Sequence, residues 1–598
     1  METSVEILEV ADRFGRFDWL TVIFYLVFMV AIGVASKYLV QGTSDYFRGG
    51  GKMLWWMAGA SAFMQQFSAW SFTGAASEAF LNGPIVLTIF IANGVGYLGN
   101  YFYFAPKLRQ LRVITPIQAV RQRYGRVGEQ FFTWVFFPVG ILYAGIWLNA
   151  LSIFISSVFG LPMIPTILVV GGVVVFSATV SGSWAVVSSD FMQTMILMII
   201  AVTTAVLCLI DIGGPMEIVR QFPAESVLGS NYNYPLIIIA WIIFMFFNQF
   251  FKLNHMIDAS RYLNVKTSKQ AKHAALLAAT LMFLGPVLWF IPPMVARIKY
   301  PGIGDIFPQL TRPSEASYIA SAIDVLPAGM LGLLLAAILS ATMSSMDSGL
   351  NKNAGFFVKN FYIVILKPEA TEKHQMLVSR ITTLVLGGLV IGAAMYYTTL
   401  RDLGLFDLMI QFGALIGVPT AVPLLWGLFV KKAPDWAGWS TVLVGLTCSY
   451  FLKFHFNGAW AAAFFDLEMT TREVRYYDAS VGAIINIIIP SIWYFTTRIW
   501  YREPVNPERK EELAIYWRNL ATPVLGIEDG SADQDRSQGK LMSILTLTYG
   551  VFIILLALIP NEPGGRLAFL LGGLVVLLMA WGIYRSTHPR GQGAAGVP

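Results

Sequence analysis

The chain has 598 residues, of which 56% are hydrophobic and 13% charged, and its mean hydropathy is +0.63. Soluble domains carry about twice that charged fraction, so an ordinary soluble protein is excluded. The net charge of +6 is spread over short segments beside apolar runs, which argues against nucleic acid as a partner, and Cys208 and Cys448 both lie in apolar runs, which argues against a disulfide framework.

Apolar runs of about 20 residues, enough to cross a bilayer, fall near 18–38, 54–79, 84–106, 129–158, 162–180, 184–210, 232–253, 274–296, 325–350, 377–398, 405–430, 437–453, 479–499, 541–560 and 566–584. The chain therefore predicts an all-α integral membrane protein with about fifteen spans. The charged start, Met1–Phe17, precedes a span without a small-residue cleavage site, so a cleaved leader is not expected. Alternate loops, beginning after the first span, carry most of the basic residues, among them Arg48, Lys107, Arg121, Arg261, Lys266, Lys431 and Arg509. By the positive-inside rule these loops are cytoplasmic, which puts the N-terminus outside and the C-terminus inside.

Three spans are polar where a lipid-facing helix would be apolar. Span 54–79 holds Gln65, Gln66, Ser68, Trp70, Ser71 and Thr73, and span 232–253 holds Asn248 and Gln249. Span 325–350 ends in Ser340, Thr342, Ser344, Ser345, Asp347 and Ser348. A spanning helix satisfies its own backbone, so hydroxyls and an acid inside it are costly and mark an ion or solute path. Hydroxyl, carbonyl and carboxylate oxygens suit a hard alkali cation. Spans two to six and seven to eleven form two sets of five, each starting with a polar-centred helix. That is the inverted-repeat plan of secondary transporters, with one extra helix before the ten-helix core and several after it.

The expected organisation is an N-terminal helix over 1–40, an inverted-repeat core over 41–432, further helices over 433–500, a cytoplasmic linker over 501–540, and two last helices with a tail over 541–598. The loops Tyr300–Leu326, broken by Pro301, Pro308 and Pro313, and Lys453–Asp478 are expected outside the cytoplasm. None of these segments resembles a catalytic domain. The five histidines form no i, i+4 metal pair, and Ser181-Gly182-Ser183 lacks the context of a nucleophile elbow. The chain is thus expected not to be an enzyme; a channel or a transporter-like membrane sensor is the rival class.

Four stretches carry a specific likeness: TSDYFRGGGKMLWWMAGASAFMQQFSAWSFTGA at Thr43–Ala75, GSWAVVSSDFMQ at Gly182–Gln193, SATMSSMDSGLNKNAGFFVKNFY at Ser340–Tyr362 and PLLWGLFVKK at Pro423–Lys432. In this order they resemble the sodium:solute symporter family, which includes sodium/glucose, sodium/proline and sialic acid cotransporters. The resemblance implies Na+ as the coupling ion, held by Met64, Phe67, Ala341, Ser344 and Ser345. The last three residues are spaced i, i+3, i+4 on one helix face. It also implies a possible second sodium site from Asp190, Asp347 and Ser348 with Ser344, unless Asp190 instead pairs with a cytoplasmic-side arginine or lysine. Asp347 departs from the family's hydroxyl there.

Solute contacts are expected from Gln65, Gln66, Trp70 and Ser71, with Asn93 on the next helix and Trp241 and Phe244 on the sixth core helix. Amides and aromatic rings suit a small polar solute, a sugar or sugar-like compound, although the family's sugar members carry acids where Trp70 and Phe90 stand. An amino acid or organic acid, coupled to sodium or protons, is the alternative. The implied setting is a plasma membrane, of the bacterial inner-membrane type, with the lipid bilayer as partner.

Overall fold

The computed structural model describes residues 14–36, 51–180, 183–228, 232–308, 310–400, 404–525 and 531–587. The first motif's Thr43–Gly50 and the second's Gly182 lie outside these residues, as do both chain ends. The described chain is nearly all helix; its one β pairing is an isolated bridge between Met53 and Val265.

In chain order the main helices are α1 (Arg16–Ser36), α2 (Trp55–Met64), α3 (Ala69–Phe72), α4 (Gly74–Asn82), α5 (Leu87–Gly99), α6 (Pro116–Phe159), α7 (Met163–Val180), α8 (Ser183–Ile212), α9 (Pro235–Leu253), α10 (Ser268–Trp289), α11 (Met330–Phe356), α12 (Glu372–Tyr397), α13 (Leu405–Phe412), α14 (Val418–Trp426), α15 (Ala437–Phe454), α16 (Thr471–Thr496), α17 (Pro507–Ala521), α18 (Ser531–Leu556) and α19 (Pro563–Thr587). Eleven helices among the described residues are long and apolar enough to span a bilayer. The other four runs read from the sequence are also helical: α1, the interrupted α2–α4, α7 and α15.

The core divides into two interlocked groups. In one, α2 packs on α10 while α9 packs on α5; in the other, α6 packs on α11 and α12, and α7 on the same two. These pairings exchange when the first five-helix set is swapped for the second, so the core is an inverted repeat. Small residues allow the close approach that membrane helices need in place of a hydrophobic driving force. A Cβ at Gly59 of α2 would come within 2.8 Å of the Ala274 carbonyl oxygen of α10.

α1 is pinned to α11 by its first turn. Buried Asp18 accepts from the backbone N–H of Gly329 (3.0 Å) and Gly332 (2.8 Å), donors that the start of α11 leaves orphaned. α18 and α19 form a tightly packed antiparallel pair beside the core.

The segment expected as a linker over 501–540 contains a helix. Pro507 at its first position and the Asn506 side chain, accepting from Glu508 N–H at 2.9 Å, start α17. Arg509 then clamps it to the core through a bidentate pair with Asp435 (2.8 Å each) and bonds to the carbonyls of Gln122 and Arg123. Charges in this stretch read as solvated linker; in the fold they are the fastenings of a docked helix.

Candidate functional site

The site forms where span two fails to stay helical. α2 stops at Met64, Gln65–Ser68 do not continue it, and Ser68, extended at φ −159°, caps α3 by accepting from Trp70 N–H at 3.3 Å. Serine and glutamine side chains compete with the helix for backbone partners, which favours an interruption here. In a membrane every freed backbone group must find a partner, and most of those here do. The Ala62 carbonyl accepts from Tyr97 OH (2.5 Å), the Met64 carbonyl from Phe67 N–H (3.0 Å), and Ala69 N–H donates to Thr342 Oγ1 (2.8 Å). The Phe67 carbonyl is met by Ser345 of α11, whose hydroxyl donates to it at 2.5 Å.

Adjacent to Ser345, the Ser344 hydroxyl donates to Asp190 Oδ1 of α8, and Ser61 of α2 donates to Asp190 Oδ2. Arg261 Nη2 lies 3.3 Å from the same oxygen and donates to Ser348 Oγ at 2.5 Å. All of these side chains are buried or nearly so. A buried pair of this kind is stabilised only by close hydrogen bonding, and removing one partner costs about 3–5 kcal/mol. Asp347 points elsewhere: Oδ2 is 3.5 Å from Ser177 Oγ, and Oδ1, fully buried, has no hydrogen-bond partner among the described residues.

Of the residues named for the first sodium, Ser345 is bonded to the Phe67 carbonyl, Ser344 beside it is bonded to Asp190 instead, and Met64 and Ala341 are buried. Those named for a second ion are split. Asp190 and Ser348 converge on Arg261, while Asp347 faces α7.

Beside the break lies a cavity of about 270 Å³. Gln65, Gln66, Phe67, Trp70, Asn93 and Ser345 line it, as do Asn248, Gln249 and Lys252 of α9, Tyr143 and Trp147 of α6, and Ser348, Lys352 and Asn353 of α11. It extends toward the end of the bundle that carries Asp258 and Lys352. Toward the other end an aromatic layer shuts it. Trp70 stacks on Phe406 (6.0 Å between ring centres, 10°) and donates Nε1–H to the Leu405 carbonyl (3.0 Å), while Phe67 packs on Trp289 and Phe90 on Phe290. Over this layer Glu315 accepts from Leu405 N–H at 3.0 Å, and burial pushes its carboxyl up to about 7.

Ser71, Trp241 and Phe244 are not among the lining residues. Trp241 is buried and stacks on Tyr476 at 4.6 Å, two helical turns before Asn248. Ser61, Tyr143, Trp147 and Lys252 join the site only in the fold, and Arg261 reads from the sequence only as a loop charge. Spacing carried a signal for one: Lys252 follows Asn248 by four residues and Gln249 by three, on one helix face.

An interrupted helix facing a hydroxyl-bearing helix, inside an inverted repeat and beside a closed-ended cavity, defines a secondary transporter. Sequence comparison narrows this. A model of the "Sodium:solute symporter family" matches residues 46–445. The sodium/sialic acid symporter NanT of Aliivibrio fischeri is 22% identical over 519 residues, covering 84% of this chain and 97% of the relative. The human sodium/myo-inositol cotransporter 2 is 24% identical over 550 residues, covering 84% and 79%. The solved structure of a Na+-coupled sialic acid symporter, substrate-bound and outward-open, shares the fold with a TM-score of 0.64 at 20% identity, over 81% of this chain and 98% of that one.

The chain belongs to the sodium:solute symporter family. It is a multi-pass membrane transporter that couples solute movement to Na+.

Proposed function

We propose that the protein takes up a small sugar-like solute by alternating access, with sodium held between the helix break and α11. The observation that carries this is the Ser345 hydroxyl bonded to the Phe67 carbonyl at 2.5 Å beside the cavity. Two oxygens poised this closely, with Ser344 adjacent, become cation ligands by a small separation of α2 and α11. Sodium would then favour the arrangement in which the two helices are held at the ion's radius, and the hydroxyl–carbonyl bond would replace it after release. Carbonyls of Met64 and Ala341 complete the proposed set.

Gln65, Gln66, Asn93, Asn248 and Gln249 supply amide donors and acceptors, and Trp147, Tyr143 and Phe90 supply ring faces, a combination that fits a polyhydroxylated solute. With the basic end of the bundle taken as cytoplasmic, the cavity opens inward, and Trp70, Phe406 and Phe90 form the closed outer gate. The Asp190–Arg261 pair then neutralises the cytoplasmic flank of the ion site, and sodium leaves past it. Each sodium carries about 2.3 kcal/mol per 100 mV of membrane potential, enough for roughly fiftyfold accumulation.

The test is solute uptake by proteoliposomes with an inward sodium gradient. Accumulation above the equilibrium level that collapses when potassium replaces sodium is expected; equilibration alone, or gradient-independent flux, would sink the proposal.

A further inference from the structure

Lys252 places an ammonium in the cavity with no counter-charge bonded to it. It lies on the same face of α9 as Asn248 and Gln249. Its Nζ is 6.0 Å from the centre of the Tyr143 ring. Its side chain lies along the π-helical stretch Gly413–Gly417, so closely that a Cβ at Gly413 would come within 2.9 Å of Nζ and one at Gly417 within 3.6 Å of Cε. The fit leaves the amine facing the cavity. Among the described residues no carboxylate lies within ion-pair distance of it; the lining acid, Asp258, acts on it only at longer range. The other charged lining residue is a second cation, Lys352, so the lining carries one net positive charge with His255 neutral. An ammonium without a bonded counter-charge inside a membrane protein is costly, and such residues mark the path of a charged ligand.

From these observations we infer that the solute carries a carboxylate that pairs with Lys252, its hydroxyl-rich body being held by the amides of Gln65, Gln66, Asn93, Asn248 and Gln249. A lysine is a compact three-donor charge suited to one carboxylate in a roomy cavity. The inference rests on this cavity being the solute path, and it selects an acidic sugar over a neutral polyol. Of the two kinds of relative described above, it sides with the transporters named for sialic acid, a carboxylated sugar, over those named for myo-inositol.

The experiment is thermal unfolding of the purified full-length protein in sodium chloride and in potassium chloride. The probes are N-acetylneuraminate and glucuronate against glucose and myo-inositol, with Lys252→Gln and Lys252→Arg as variants. The expected result is stabilisation by an acid and not by its neutral counterparts. Lys252→Gln should weaken it by about tenfold to hundredfold, the range for losing one charge-assisted hydrogen bond, and Lys252→Arg should retain most of it. Both variants should keep the response to sodium alone. Preference for a neutral probe, acid affinity unchanged in Lys252→Gln, or a sodium response with no response to either acid would each overturn the inference. If Lys252→Gln does not fold, the acid-to-neutral preference of the unmutated protein and of Lys252→Arg decides. Absence of any sodium effect would count against the coupling site instead, and acid binding in potassium would still decide the role of Lys252.

Discussion

Replacing Ser345 by alanine removes one oxygen from the proposed ion site and separates two effects that the structure allows to be estimated. Without sodium, the Ser345 hydroxyl satisfies the buried Phe67 carbonyl at 2.5 Å. Losing a single buried hydrogen bond and leaving its acceptor unpaired costs about 1–3 kcal/mol. With sodium bound, the same hydroxyl is one of about five ligands, and a contact to a full charge is worth about 1.5–3 kcal/mol, a tenfold to hundredfold loss of sodium affinity. For a site half-filled at about 10 mM, 100 mM sodium stabilises the folded protein by about 1.4 kcal/mol; a hundredfold weaker site gives less than about 0.1 kcal/mol.

Thermal unfolding over a sodium titration at constant ionic strength reads both effects. The variant should start lower in potassium and gain less than about 0.4 kcal/mol from 100 mM sodium. Ser321→Ala serves as control, because its buried hydroxyl makes a similar bond to the Pro292 carbonyl (2.8 Å), and neither residue lines the cavity. It should lower the baseline and leave the sodium response intact. An undiminished sodium response in Ser345→Ala refutes the placement of the ion.

Arg261→Ala should destabilise the protein by about 3–5 kcal/mol, because Asp190 would be left as an uncompensated buried charge. Adding Asp190→Asn should recover part of that loss in the same unfolding assay, and additive losses would mean the two do not act as a pair. Asp18→Ala should cost about 1–2 kcal/mol by orphaning the N–H groups of Gly329 and Gly332; a neutral result in denaturant unfolding would contradict the cap. Glu315 gives a pH signature. Its carboxyl is held up to about 7 against an ordinary 4.5, so the folded state binds its proton more tightly than the unfolded state does. Its contribution is therefore fully present below about pH 4.5 and lost as pH rises through about 7, on the order of 3 kcal/mol in all. Glu315→Gln should flatten that part of the stability–pH curve, and an unchanged slope between pH 5 and 7 would remove Glu315 as its source.

Local chemistry wrote much of this molecule plainly. Apolar runs fixed where the helices lie, because a bilayer admits only segments that bond their own backbone. Gln65, Gln66 and Ser68 marked span two as polar-centred, and the i, i+3, i+4 spacing of Ala341, Ser344 and Ser345 put the hydroxyls on one face before any partner was known; the break itself came with the fold. What spacing cannot give is the partner across the bundle. Asp190 meets Arg261 from 71 residues away, and Ser345 meets the Phe67 carbonyl from 278. Arg261 read as a loop charge, and Lys252 drew no reading from the sequence. Only packing made one a buried counter-ion and left the other facing a cavity. Trp241 shows the converse: it lies on the expected helix, yet it stacks on Tyr476 and does not line the cavity. Hydropathy and motif determine the helices and the kind of transporter, since those depend on each segment's own contact with lipid and water. The tertiary structure alone decided which charges are paired and which end of the cavity is shut, because those depend on contacts between helices distant in sequence.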